Sequence, residues 1–270
     1  MIRGDCVRGL RDEPSDSIDL VVTSPPYDTL RDFGQPWTWE DFTATAEQLW
    51  RTIKPGGVVC WQVADEILKT GPRRKSYSGS SYRQCIHFQD LGFLLWDDLI
   101  AGASGCRTWI KRRYGSAPHH VFVLSKGEPT TVNILRDRRN KSVGSHMPAK
   151  RRLPDGNSVR GMIPYRIGKW GRRTNIWLYA PGRHSTSFKE AFRHPAIMIE
   201  ALCRDLILTY SRPGDLVCDP FGGSGTTAAT ALLHSRRYLS WEINPEYYDL
   251  AMRRIAAAKA EYRLYLDRTI

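Results

Sequence analysis

Residues 216–242 read LVCDPFGGSGTTAATALLHSRRYLSWE: a short apolar run, a glycine-rich turn, a stretch of small residues with helical character, and a second apolar run ending on an acid. No other segment restricts the fold as tightly. A strand that passes through glycines into a helix and on into another strand builds a parallel pair, because only a crossover returns the chain to the same end of the sheet. Parallel sheets carry helices on both faces, and their strands read as near-continuous apolar runs. The rest of the chain keeps this rhythm. Strands are expected at 18–23 (IDLVVT) and 56–63, the second after a Lys54-Pro55-Gly56-Gly57 turn, with a helix over 39–53 between them. Towards the C-terminus the order is helix 196–211, strand 216–219, helix 226–234, strand 237–241 and helix 245–263. Apolar runs at 93–100 and 120–125 flank a turn-rich basic segment and can pair as an antiparallel edge. The expected fold class is α/β: a mostly parallel sheet with helices on both faces and an antiparallel edge.

The turn Asp219-Pro220-Phe221-Gly222-Gly223-Ser224-Gly225-Thr226-Thr227 lies between a strand and a helix, where such sheets bind nucleotide-like ligands. Its glycines let the backbone approach a ligand closely. Glu242 stands 20 residues after Gly222, at the end of the next strand, where an acid can accept hydrogen bonds from ribose hydroxyls. The turn is neither G-x-G-x-x-G nor a loop ending in GK[ST], which disfavours a pyrophosphate ligand. A cofactor with adenosine and no phosphates, such as S-adenosylmethionine, fits better.

A second constellation, Thr23-Ser24-Pro25-Pro26-Tyr27, directly follows the strand at 18–23 and so falls at a strand's carboxyl end. Two prolines fix the backbone and remove two N–H donors, leaving carbonyls nearby as rigid acceptors. Tyr27 adds a flat surface. A hydroxyl, carbonyl acceptors and an aromatic plane suit a planar ring that bears an exocyclic amine. An isolated SPPY would read as a strand-terminating turn.

Charge is segregated. Between Arg107 and Arg173 there are 17 Lys or Arg and only three acids, Glu128, Asp137 and Asp155, so this segment alone exceeds the formal net charge of +12 of the whole chain. Interleaved with Trp109, Tyr114, His119, His120, Tyr165 and Trp170, it has the character of a phosphate-backbone partner surface. Gly, Pro and Ser throughout 137–173 predict long loop there. With 270 residues and 41% hydrophobic content the chain can bury one sizeable core. It contains no apolar run of the roughly 18 residues that a membrane span needs, and Arg3 and Asp5 interrupt any signal-peptide stretch. These features lead us to expect a soluble, cytoplasmic protein. The six cysteines, Cys6, Cys60, Cys85, Cys106, Cys203 and Cys218, form no C-x-x-C pair and predict buried thiols, with no metal site.

Taken together, TSPPY at 23–27 and DPFGGSGTT at 219–227 resemble the catalytic motif and the cofactor loop of the S-adenosylmethionine-dependent DNA amino-methyltransferases, which act on cytosine N4 or adenine N6. Having the catalytic motif first and the cofactor loop last resembles the circularly permuted β class, and coverage is nearly the whole chain. The resemblance implies a Rossmann-like sheet in one catalytic domain, 1–270. It also implies an inserted target-recognition region at about 128–190, over the basic segment, with double-stranded DNA as partner and a homodimeric assembly. Ser24, Pro25, Pro26 and Tyr27 would be catalytic. Asp219, Phe221, Gly222, Gly223, Ser224, Gly225, Thr226 and Thr227 would hold the cofactor. Gly4-Asp5-Cys6 resembles the motif at the cofactor's adenine, His194-Pro195-Ala196 the motif beside its methionine end, and Glu242-Ile243-Asn244-Pro245 the ribose-binding acid with its turn. The permutation places the last helix so that it leads back towards Met1, making the termini neighbours and bringing Asp5 beside the cofactor loop.

On this reading Ser24 and the Pro25 carbonyl accept the amine's hydrogens, Tyr27 stacks on the base, and the methyl passes in line to nitrogen from a base flipped out of the duplex. None of the six cysteines follows a proline, which counts against carbon-5 cytosine chemistry. Ser in the first catalytic position resembles N4-cytosine enzymes more often, so cytosine comes before adenine. A dinucleotide oxidoreductase would leave TSPPY and the basic segment unexplained. A noncatalytic DNA-binding protein on the same scaffold would have no use for Ser24, Tyr27 and Glu242. RNA and protein glutamine are further amine substrates that such a pocket could serve.

Overall fold

The computed structural model describes residues 1–26, 37–68, 71–72, 74–103, 118–147, 150–160, 165–180 and 185–267. They form two compact units, Met1–Asn133 with Asn175–Ile270, and Ile134–Thr174.

The first unit is built on an eight-stranded sheet. Its strands, in spatial order, are β1 (Ile2–Arg3), β14 (Arg237–Glu242), β13 (Leu216–Asp219), β2 (Ile18–Thr23), β3 (Ile53–Val63), β5 (Pro118–Ser125), β4 (Leu94–Ala103) and β12 (Ile176–Tyr179). β5 runs against both its neighbours, and the other pairings are parallel. The predicted antiparallel pair therefore forms, but β12 adds outside it, parallel to β4, and becomes the edge strand. Ile176–Tyr179 escapes a periodicity reading because it emerges directly from the glycine-rich basic stretch. β3 starts three residues before its expected position. Lys54 to Gly57 form a bulge within it, where the register to β2 shifts between Ile18 and Leu20. Gly56 there has φ +74°, and a Cβ on it would meet Thr130 Cγ2 at 2.4 Å.

Helices α1 (Cys6–Asp12), α2 (Trp39–Thr52) and α3 (Ser80–Asp90) cover one face, where Leu10, Phe42, Leu49 and Phe88 close over Val21, Val59, Trp61 and Cys218. Helices α4 (Glu200–Tyr210), α5 (Thr226–Leu233) and α6 (Pro245–Asp267) pack on the other, α5 between its two neighbours. α4 starts later than its sequence pattern. Residues 189–193 form a 3-10 turn, and His194, before Pro195, is extended at ψ 134° as the proline ring requires. α2 opens on a reciprocal cap in which the Thr38 hydroxyl accepts from Asp41 N at 3.1 Å and the Asp41 carboxylate accepts from Thr38 N at 2.9 Å.

Two features of this sheet position the site. β2 and β13 are adjacent and parallel, with Leu20 and Val21 beside Val217 and Cys218, so the segments that follow them leave from the same end. At the sheet's margin β1 pairs with β14, Ile2 opposite Trp241 and Arg3 opposite Glu242, which brings the chain start next to the strand carrying Glu242. Among the described residues no helix is long and apolar enough to cross a membrane.

The second unit is an antiparallel ribbon of six short strands. β6 (Arg138–Arg139) pairs with β11 (Trp170–Gly171), β7 (His146–Met147) with β10 (Tyr165–Arg166), and β8 (Lys150–Arg152) with β9 (Ser158–Arg160). Backbone bonds between these ladders, Gly144 N to Ile167 O and Ile167 N to Ser145 O, both 2.9 Å, make it one nested hairpin. The tip turns at Gly156, φ +86°. The expected long loop is thus paired strand. Its ladder is closed by main-chain bonds and needs no apolar alternation in the sequence.

Candidate functional site

The ends of β2 and β13 are tied together. Thr23, the last residue of β2, donates its hydroxyl to Asp219 Oδ1 at 2.6 Å, and Thr227 Oγ1 donates to Val22 O at 3.2 Å. Both bonds are buried, so the segment beginning at Ser24 and the glycine loop form a single structure. One cavity runs between them, lined by Ser24, Pro25 and Pro26 on one side and by Asp219, Phe221, Gly222, Gly223, Ser224, Thr226 and Thr227 on the other.

Glu242 closes the loop from behind. Its Oε2 accepts from Gly223 N and its Oε1 from Asn244 N, each at 2.8 Å. Both oxygens are thereby held still, and each keeps a lone pair for a further donor. Burial raises its pKa against the opposing pull of these N–H groups. Gly223 has φ +49°, and a Cβ there would lie 3.1 Å from His194 Nε2, so the loop presses against the segment that carries His194. His194 Nδ1 lies 2.7 Å from Ala196 O, and burial lowers its pKa, favouring the neutral imidazole. Its ring meets Tyr247 edge-on at 4.4 Å.

Asp5 enters from the chain start. It caps α1 by accepting from Arg8 N at 2.8 Å, and with Cys6 it lines the same cavity. Burial pushes the Cys6 thiol up to about 12, so sulfur there is neutral. Burial likewise raises the Cys60, Cys85, Cys203 and Cys218 thiols. Cys106 lies outside the described residues. Asp219 is enclosed, and desolvation pushes its carboxyl up to about 7 in spite of hydrogen bonds from Thr23 and Phe221.

The sequence-derived residues Asp5, Cys6, Ser24, Pro25, Pro26, His194, Glu242, Ile243 and Asn244 thus meet the glycine loop around one space. Two expected residues do not line it. Gly225 caps the start of α5 at φ +75° and backs onto α6, where a Cβ would meet Ala251 Cβ at 2.9 Å. Pro195 is likewise absent from the lining; its neighbours His194 and Ala196 face the space. Tyr27 lies outside the described residues. The structure adds Trp37, Asp41, Met198 and Tyr247, which no motif marks. Trp37 meets Phe221 edge-to-face at 5.0 Å, forming an aromatic corner, and its buried indole N–H has no hydrogen-bond partner among the described residues. The tryptophan and acid spacing of 37–41 carries a helix-cap signal, which conceals any binding role.

The charge of the lining discriminates between ligands. Among the described residues it contains four acids, Asp5, Asp41, Asp219 and Glu242, and no Lys or Arg. A pyrophosphate would need cations or several free N–H donors, whereas this space suits a nucleoside that is neutral or positively charged. Carboxylates for hydroxyls, an aromatic corner for a flat ring and an acidic wall for a cationic group fit an adenosine-bearing sulfonium.

Known proteins resemble this chain along most of its length. A family model described as DNA methylase matches residues 18–253. The orphan methyltransferase M.BamHII of Bacillus amyloliquefaciens is 43% identical over 243 residues, which cover 88% of this chain and 89% of that protein. Among solved structures, the cytosine-N4-specific PvuII DNA methyltransferase superposes with a TM-score of 0.67 at 21% identity, covering 98% of this chain and 91% of its own. A modification methylase of Thermus thermophilus, TTHA0409, complexed with S-adenosyl-L-methionine, superposes with a TM-score of 0.62 at 23% identity, covering 96% and 94%. Both structural likenesses establish the Rossmann-like methyltransferase fold.

Proposed function

The chain belongs to the DNA methylase family of amino-group methyltransferases, and from that premise we propose that it methylates the N4 amine of cytosine in double-stranded DNA. It is an S-adenosylmethionine-dependent enzyme. The observation that carries the site assignment is the single cavity shared by the Ser24 segment and the glycine loop, acidic and without cations among its described lining.

Glu242 would hold the ribose hydroxyls on its free lone pairs, Phe221 and Trp37 would flank the adenine near Asp5, and Asp219 with His194 would face the methionine end. Bound there, S-adenosylmethionine supplies an electrophilic methyl on a sulfonium. The chain's part is to prepare the amine. An exocyclic amine is a weak nucleophile because its lone pair is delocalised into the ring. The Ser24 hydroxyl and the Pro25 carbonyl accept its hydrogens and favour a pyramidal nitrogen. Tyr27 would stack on the base, which must leave the duplex to reach the pocket. N6-methyladenine in place of N4-methylcytosine in digested product DNA would move the assignment to adenine.

Asp219 couples cofactor binding to pH. A cation beside it favours the carboxylate, so binding releases the proton that burial retains near pH 7. Affinity should therefore climb as pH rises from about 6 to about 8 and level off once the carboxyl is already ionised. Calorimetry in buffers of different ionisation enthalpy reads the released proton, and Asp219→Asn should flatten the profile.

The ribbon unit fits the DNA side of the reading, and we assign it, within the broader 128–190 region, to target recognition. Residues 134–174 hold twelve Lys or Arg against Asp137 and Asp155, and Arg173 is paired with Asp137. A two-stranded β-ribbon is one of the two element types that the major groove of B-DNA admits. If Arg138 and Arg139 contact phosphates, replacing both with Ala should reduce the slope of log affinity against log salt by about 2. An unchanged slope would show that these charges face elsewhere. A cytoplasmic location belongs to the same proposal. The homodimer belongs to the same reading; Tyr82 and Ile86 of α3, with Ile176 and Leu178 of the edge strand β12, expose 55–64% of their surface and supply an apolar flank for it. Sedimentation of the free protein reads the oligomeric state.

A further inference from the structure

Arg254, in α6, is 3% exposed and uses both arms of its guanidinium. Nη1 donates to Thr226 Oγ1 at 2.7 Å and to Ser224 Oγ at 3.3 Å, both in the glycine loop or the first turn of α5. Nη2 donates to Thr186 Oγ1 and to Glu200 Oε2, each at 3.0 Å. Glu200, the first residue of α4, in turn accepts from Ser187 N at 2.9 Å and from the Ser187 and Thr186 hydroxyls. One planar fork therefore joins the glycine loop to both ends of the 186–200 segment. That segment carries His194, the residue against which Gly223 is pressed. The glycine loop and the His194 segment are thus held at a separation set by an ion pair between buried Arg254 and part-buried Glu200, neither of which lines the cavity itself.

We propose that Arg254 and Glu200 are positioning residues for the cofactor: the pair fixes the distance between the glycine loop and the His194 segment, and so sets affinity for S-adenosylmethionine without contacting it. This rests on the reading that the cavity holds that cofactor. The chemistry of the fork is specific. Lysine can meet Glu200 as a point charge but cannot reach towards Thr226 and Thr186 at once. Removing Glu200 leaves the buried Arg254 charge unpaired, and removing Arg254 leaves a part-buried carboxylate without its cation, so each destabilises the fold, whereas replacing both with apolar residues of similar size is often close to neutral. Stability and positioning can therefore be separated.

The test compares wild type, Arg254→Met, Glu200→Met, the double variant and Arg254→Lys by thermal melting and by calorimetric titration with S-adenosylmethionine. The single Met variants should melt lower, and the double variant should recover most of the loss. Its cofactor dissociation constant should nevertheless stay raised about 10- to 100-fold, the cost typical of removing a supporting group behind a binding shell. Arg254→Lys should melt near wild type and still bind more weakly. A double variant with recovered melting and wild-type affinity would overturn the proposal by making the pair purely structural. If the double variant does not fold, wild-type affinity in a folded Arg254→Lys does the same. Wild type that fails to bind S-adenosylmethionine would instead remove the cofactor reading on which the proposal rests.

Discussion

Ser24→Ala should lower kcat for methyl transfer roughly 100-fold, and Ser24→Ala with Tyr27→Ala further still, while the dissociation constant for S-adenosylmethionine stays within about twofold. The split follows from which wall each residue belongs to. Ser24 follows β2 and would act on the amine, whereas the cofactor wall is assembled from β13, the glycine loop and β14. Losing an acceptor that matters only as the amine pyramidalises raises the barrier and leaves ground-state binding alone. A fully active double variant, or a parallel loss of cofactor affinity, would contradict the assignment of Ser24.

Glu242→Gln is the second large effect. It is nearly isosteric, so packing is preserved, yet both carboxylate oxygens accept from main-chain N–H groups, those of Gly223 and Asn244. The amide must place its NH2 against one of these donors, losing a charge-assisted bond and creating a clash of hydrogens. Each such bond is worth about 1.5–3 kcal/mol, and the ribose would lose part of its acceptor as well. Cofactor affinity should fall at least about 100-fold, from two interactions lost together. Titration calorimetry measures it; a Gln variant that binds as wild type would place the nucleoside elsewhere.

Most of the sheet was legible in the sequence because its central strands are largely buried and so read as apolar runs: Ile18–Thr23 and Leu216–Asp219 coincide with the expectation, and the less buried Arg237–Glu242 extends it by one residue. The site's two loops were legible because proline and glycine mark the strand ends where backbone, not side-chain periodicity, decides the shape. What stayed hidden was set by tertiary contact. β12 becomes a strand only because β4 offers it a ladder. Trp37 and Asp41 reach the cavity through the start of a helix whose local signal is a cap. Arg254 reads as one more charge on an amphipathic helix, and only the packing of α6 brings its guanidinium against the glycine loop. The ribbon was hidden for a different reason: with Gly144, Gly156 and Gly168 among polar residues, its pairing rests on main-chain bonds and a few polar side-chain bridges such as Arg173 to Asp137, neither of which leaves an apolar alternation in the sequence.

The most direct measurement is mass spectrometry of nucleosides from unmethylated double-stranded DNA treated with the protein and S-adenosylmethionine carrying a deuterated methyl. The expected product is N4-methylcytosine with the label intact, absent when Ser24→Ala, Tyr27→Ala protein is used. Labelled 5-methylcytosine, or no labelled nucleoside from protein that binds the cofactor, would contradict a shared cavity in which a base amine takes the methyl.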